Sequence, residues 1–280
     1  MAQRTYRRVL SGFMTGATYG AAALAILPLV AILGMLIVKG AGSIDWDFFT
    51  KSQVPVGESG GGFAYAIVGT LMIVGMACAI GVPVGIGAGI FLAEFGGGKL
   101  GWIVRFVADT LNGVPSIVIG IFAWTWIVRP MGHFSAFSGG VALACILAPI
   151  VARTTEEMVR LVPNSLREAA LALGYPRWRT SLSVVARTAS AGIITGCLVA
   201  VARVAGETAP LLFTALGNSF FSTRLFEPMA ALPLQVYVYA TGPYDEWHRQ
   251  AWAGALVLIL LVLLLGTLAR IAARAKRSHA

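Results

Sequence analysis

Charged residues are scarce in this chain of 280 residues: they make up 12% of it against 58% hydrophobic residues, and mean hydropathy is +0.80. Globular proteins carry about a quarter charged residues, so this composition excludes a soluble globular domain. Cysteine is nearly absent. Cys78, Cys145 and Cys197 lie in apolar runs without paired or metal-type spacing, which leaves them as small packing residues rather than disulfide or metal-site thiols. Histidine is as rare, and His133, His248 and His279 are scattered near the ends of apolar runs, suggesting no metal site. A nucleotide-binding loop is also missing. The nearest approach, Gly96-Gly97-Gly98-Lys99, has Ala93 where the first Gly belongs and Leu100 where a magnesium-binding Ser or Thr belongs. The chain therefore encodes no ATPase, and no Ser/His/Asp, Cys/His or metal-ligand constellation in the apolar runs supports a membrane enzyme.

What is present is a series of runs long enough to cross the hydrocarbon layer, which takes about 20 mostly apolar residues. Six are counted: Ala17–Val38, Tyr65–Leu92, Phe106–Val128, Gly139–Met158, Ala189–Leu212 and Ala251–Ile271. They are too long for barrel strands of about ten alternating residues. An all-α membrane protein with six transmembrane helices is predicted, with residues 1–16 as a cytoplasmic N-terminal segment and 17–280 as a single six-span domain. The first run follows Arg4, Arg7 and Arg8, but its length and the lack of a small-x-small cleavage site make it a retained anchor.

Orientation follows from Lys and Arg. With both termini inside, cytoplasmic segments hold Arg4, Arg7, Arg8, Lys99, Arg105, Arg160, Arg167, Arg177, Arg179, Arg187, Arg270, Arg274, Lys276 and Arg277, and the opposite side holds only Lys39, Lys51, Arg129, Arg224 and Arg249. The net charge of +9 is thus a topology signal and an attraction to anionic membrane lipid, with no nucleic acid implied.

Between the fourth and fifth runs, a loop at about 159–188 carries a short helix, Ser165-Leu166-Arg167-Glu168-Ala169-Ala170-Leu171-Ala172-Leu173-Gly174. Ser165 with Glu168 reads as a capping box. Pro163 discourages a helix from running through, and Gly174 supplies the left-handed residue that ends one. Ala169 and Ala170 are expected on its surface, where another protein can approach closely. Elsewhere, Pro83 is expected to break the second span, whose glycines suit close helix packing. Polar residues and Pro115 interrupt the start of the third run at Asp109–Gly120, read as a helix-entry kink with Asp109 near its N-terminus in preference to direct substrate contact. The outer segment Leu225–Gly242 reads as an interfacial or re-entrant helix, or a packed lid.

Two arginines lie within spans. Arg153 sits roughly 10 Å inward of Arg160 at helical rise; it either snorkels to the surface or lines the inner end of an anion pathway. Arg203 lies near 20 Å into the fifth run, about where a charge costs at least 2.5–3.5 kcal/mol and usually serves function. Glu207, four residues on, can pair with it. That pair either makes the span tolerable or exchanges with a passing oxyanion. Pro210 is expected to bend or end the helix.

Glu168-Ala169-Ala170 with Gly174 at this spacing resembles the EAA loop of permease subunits of binding-protein-dependent ABC importers. The family pattern continues to Ile-x-Leu-Pro, where this chain has Val184, Ala186 and Arg187. The stretches Asn112–Val118, Arg203–Thr214 and Ala231–Gln235 are similar to the permeases of phosphate-specific importers, and the similarity covers nearly the whole chain. The resemblance implies a MetI-like permease fold and an inner-membrane subunit that forms the translocation pathway. It also implies docking through Glu168, Ala169, Ala170 and Gly174, and a phosphate path past Arg153, Arg203 and Glu207. The partners it implies are a homologous permease PstC, a dimer of the ATPase PstB that holds the ATP and magnesium, and the periplasmic phosphate-binding protein PstS. Two alternatives stand beside it: an ABC importer for another oxyanion such as molybdate, tungstate or phosphonate, and an ion-coupled secondary transporter that uses Arg203 and Glu207.

Overall fold

The computed structural model describes residues 2–55 and 60–275, and within these the side chains of 2–5, 8, 9, 268–270 and 272–275 fall outside the description. Glu58, Lys276, Arg277 and His279, and the side chains of Arg4, Arg8, Arg270 and Arg274, therefore lie outside the described residues.

The described chain is helical, without a strand. Its helices are α1 (Ala2–Gly40), α2 (Trp46–Thr50), α3 (Ala64–Glu94), α4 (Lys99–Gly113), α5 (Ser116–Met131), α6 (Ala136–Arg160), α7 (Asn164–Ala172), α8 (Arg177–Val204), α9 (Ala209–Thr214), α10 (Leu232–Thr241) and α11 (Asp245–Ala275). Five of these helices are long and apolar enough to cross a membrane, and α4 with α5 make a sixth span if the bent pair is counted as one. The bend is 106°. Its cause is local: Val114 and Pro115 are extended (ψ 130° and 135°), as the steric demand of a proline ring on its predecessor requires. Asp109 therefore lies toward the end of α4, and the expected place near a helix N-terminus is corrected.

Pro83 does not break the second span. The helix α3 runs through it, as α6 runs through Pro149, because packed neighbours in a bundle tolerate the one lost backbone bond.

The bundle is organised on α3 and α6. Gly81, Gly85 and Gly89 form one stripe of α3, and a Cβ at Gly85 would stand 2.6 Å from Val151 Cβ, one at Gly89 2.5 Å from Ala152 O. Only hydrogen at these positions lets the two backbones approach so closely. Ile73, Ala77, Leu143, Leu147 and Val151 fill the core beside this seam, and Ala200, Val204 and Leu211 close it from α8 and α9.

Toward the other end, Asp45 caps α2 by accepting from Phe48 N at 2.8 Å. Phe48 stacks on Phe63 (centroids 5.0 Å apart), Phe63 meets Tyr239 edge-on, and Tyr239 stacks on Trp247. The helix α10 is thereby packed: Leu232, Leu234 and Tyr239 are buried, and Leu232 N donates to Thr70 Oγ1 of α3 at 2.7 Å. The packed reading of the Leu225–Gly242 segment holds for this helix. By contrast, α1 is exposed along nearly all its length; it packs mainly on α11, with Gly40 against Trp252 O.

Candidate translocation and coupling sites

The short helix α7 forms where the sequence places it, but its N-terminus differs. Pro163 is the N-cap, Asn164 begins the helix, and no side chain caps it. Ser165 is already helical, so the capping box with Glu168 is corrected. The C-terminus is as expected. Gly174 takes φ +82°, Gly174 N donates to Leu171 O at 2.9 Å and Tyr175 N to Ala170 O at 3.2 Å, which together form a Schellman cap. Glu168 and Ala169 are exposed, while Ala170 is buried against the bundle, correcting its expected surface position. Leu166, Leu171, Leu173 and Trp178 stand exposed around the helix and its following turn, giving an apolar surface beside Glu168.

Two ionic hubs hold this end, and neither was read from the sequence. Glu156, 1% exposed, receives Arg105 at 2.8 Å, Arg153 at 2.9 Å and Arg160 at 2.6 Å, and Arg153 also reaches Asp109 at 3.0 Å. Helical spacing of Arg153, Glu156 and Arg160 puts these three on one face of α6, a signal that the sequence does contain. Arg105 arrives from α4 and also donates to Leu92 O of α3. Arg153 is thus only partly exposed, and fixed in place by two carboxylates.

The second hub is Glu94, the last residue of α3. Arg167 of α7 donates to its Oε1 from Nε at 3.0 Å and Nη2 at 2.7 Å, and Ser181 Oγ of α8 donates to its Oε2 at 3.2 Å. The remaining Arg167 protons go to Val159 O, Val162 O and Asn164 Oδ1. Arg167 so neutralises a carboxylate at the unfavourable end of one helix dipole and adds donors to the carbonyls of Val159 and Val162 at the C-terminal end of another. The following helix begins at Arg177 and passes through Arg187 without a break, with a π-helical stretch at Thr180–Val185 just before it.

The fifth span departs from a single helix. α8 ends at Val204, and Ala205–Thr208 are non-helical before α9 starts at Ala209. Pro210 sits in the first turn of α9, where its missing N–H costs nothing, and so begins a helix where a bend or an end was expected. Because the break falls between Arg203 and Glu207, the helical i,i+4 geometry is lost and no ion pair forms between them. Arg203 is exposed on the surface of its own bundle and Glu207 is half-buried. Arg153 and Arg203 lie on different helices and share no carboxylate.

The other irregular place, the α4–α5 bend, borders a cavity of about 570 Å³ lined by Ile80, Val84, Leu111, Val118, Phe122 and other apolar residues. It offers an anion no donor.

Residues 85–278 match the family model described as the binding-protein-dependent transport system inner membrane component. The chain is 49% identical over 261 residues to a phosphate transport system permease protein PstA of Xylella fastidiosa, covering 89% of this chain and 91% of that one. It is 44% identical to the PstA of Haemophilus influenzae, over 95% of this chain and 94% of that one. In fold it is similar to a chain of the inward-facing MetNI methionine ABC transporter, at a TM-score of 0.59 and 19% identity over 76% of this chain and 93% of that chain. With the spans and the broken fifth helix in place, these likenesses make the chain a multi-pass inner-membrane permease. It belongs to the family of binding-protein-dependent transport system inner membrane components, among the PstA permeases.

Proposed function

We propose that this chain is the permease subunit of an ATP-driven inorganic phosphate importer, with both termini on the cytoplasmic side. The observation that carries this reading is Arg203, exposed beside the unwound stretch of its span with Glu207 unpaired. Unwound backbone at membrane depth is tolerated against protein or water, and an arginine facing lipid there is costly. The surface that bears Arg203 therefore faces a second permease, PstC, across a water-filled pathway. A guanidinium in that pathway offers a planar fork of donors to a phosphate, and Glu207 limits how tightly the anion is held. Arg153 stands at the inner end. The names of the relatives support phosphate as the cargo.

On the cytoplasmic side, Glu168, Ala169, Ala170 and Gly174 shape the helix that docks into the PstB dimer, where ATP and magnesium bind. PstS delivers phosphate from the opposite side. Moving a two-state permease from 1:99 to 99:1 takes about 5.5 kcal/mol of differential binding, and the α7 surface is where the ATPase applies it.

The test is uptake of radiolabelled phosphate at low external concentration by cells lacking this gene, complemented with wild type or Arg203→Gln. Membrane level and ATPase copurification are matched. Wild type restores uptake and Arg203→Gln does not, a loss of about ten- to a hundredfold if the charge-assisted bond is worth the 1.5–3 kcal/mol typical of hydrogen bonds to charged groups. Failure of the wild type in an assembled complex overturns phosphate as the cargo, and molybdate, tungstate and phosphonate are then tried as substrates.

A further inference from the structure

The helix α7 has little apolar anchorage of its own. Ala170 is its one buried residue, while Leu166, Glu168, Ala169, Leu171 and Ala172 are exposed. It is also flanked by loops on both sides, Leu161–Pro163 and Leu173–Pro176, about which a helix so weakly packed would pivot. What fixes its angle is polar. Arg167 connects α7 to the end of α3 through Glu94 and to the end of α6 through Val159 O and Val162 O, and Glu94 extends the connection to α8 through Ser181. The side chains of Arg167 and Glu94 are 19% and 10% exposed, so this pair is shielded from the screening that weakens surface ion pairs. Behind it, the glycine seam packs α3 closely against α6, a contact too tight for the two helices to slide apart without strain.

We propose that Arg167, acting through Glu94, is the positioning residue that converts displacement of α7 into displacement of the α3–α6 pair. Glu168 and Ala169 face outward and meet the ATPase; Arg167 faces inward and carries the load onward. This inference rests on the proposed docking of α7 into an ATPase. A strut of this kind separates two quantities that docking alone does not: without it, the ATPase binds and turns over while α7 pivots and the span helices stay behind.

The experiment uses the complete complex in proteoliposomes with PstS, phosphate and ATP, comparing wild type with Arg167→Met, Arg167→Lys and Glu94→Gln. Arg167→Met and Glu94→Gln are expected to retain ATPase copurification and hydrolysis while phosphate moved per ATP falls about tenfold, within the 5–150-fold range of typical site-to-site couplings. Arg167→Lys, with one point charge for the fork, falls less. An unchanged ratio, or hydrolysis and uptake falling in step, overturns the proposal. If Arg167→Met fails to assemble, Glu94→Gln decides, since it keeps the size of the side chain and leaves the bonds of Arg167 to α6 in place. A second readout does not depend on the cargo: the distance between spin labels at exposed Phe95 and Leu173, with and without ATP. It stays constant in wild type and shifts in Arg167→Met and Glu94→Gln; a shift already present in wild type refutes the strut. If wild type hydrolyses ATP but moves no phosphate, the cargo is wrong, and the label distances still decide the strut.

Discussion

Charge is handled in opposite ways at the α7 end of the bundle and at the break in the fifth span. Glu156 is buried and shared by three arginines, Glu94 is largely shielded and bound by Arg167 and Ser181, and all five N–H groups of Arg167 are engaged within the chain. At the break, Arg203 and Glu207 lie close in sequence yet leave each other unpaired. A saturated network in a low-dielectric setting rigidifies. An unsaturated pair retains its capacity for something outside the chain. In the transport cycle proposed above, the first region transmits force and the second receives an anion.

The comparison breaks most visibly at Glu156. Replacing it with Gln removes the negative charge shared by three arginines and turns one acceptor oxygen into a donor amide, and losing one side of a buried ion pair typically costs about 3–5 kcal/mol; detergent-solubilised protein is expected to melt at a clearly lower temperature. A smaller loss follows from crowding the seam: Gly85→Ala puts a methyl 2.6 Å from Val151 Cβ, and overpacking of this kind costs about 1–3 kcal/mol, read by the same melt. Arg160→Ala sharpens the picture within the hub. Its side chain is 55% exposed, so its removal should cost no more than about 1 kcal/mol, as for surface pairs. Glu207→Gln should leave the melt within about 0.5 kcal/mol of wild type, while phosphate uptake falls.

The smallest effect concerns the outer loop. There Arg224, and to a lesser degree Ser222, hold the carboxyl of Glu227 below the ordinary carboxylate range. A lowered value means that the contribution is complete above the ordinary range and fades only as pH falls through the lowered one. Amide protection in residues 222–227, taken relative to the intrinsic exchange rate at each pH, should therefore be flat from neutral pH down into that range and fall below it; a fall beginning at neutral pH would contradict the assignment.

Local chemistry made part of this legible in advance. Gly174 ends α7 because only a residue at ease with positive φ closes a Schellman cap, and Arg203 stood out because a charge so deep in an apolar run is expensive. The spans were readable from length and composition. What failed was also local in origin: Ser165 and Glu168 have the spacing of a capping box, but Pro163, with its fixed φ, had already started the helix two residues earlier. The i,i+4 pairing of Arg203 with Glu207 presumed a helix that ends at Val204. The hubs were hidden for a different reason. Arg105 and Glu156 are 51 residues apart and Glu94 and Arg167 are 73 apart, so their meeting depends on how α3, α4 and α6 pack, which no run of sequence displays. Half of the Glu156 hub, Arg153 and Arg160 at three and four residues, was visible as a helical face.

The exposure of α1 bears on how the protein is made. Its main packing partner, α11, follows it by most of the length of the chain. During synthesis α1 must therefore wait in the bilayer as a lone helix while the spans between them emerge and pack. Its apolar segment has a hydropathy of 2.8, above that of each of the other four single-helix spans. The lipid, rather than the bundle, holds α1 until its partner arrives.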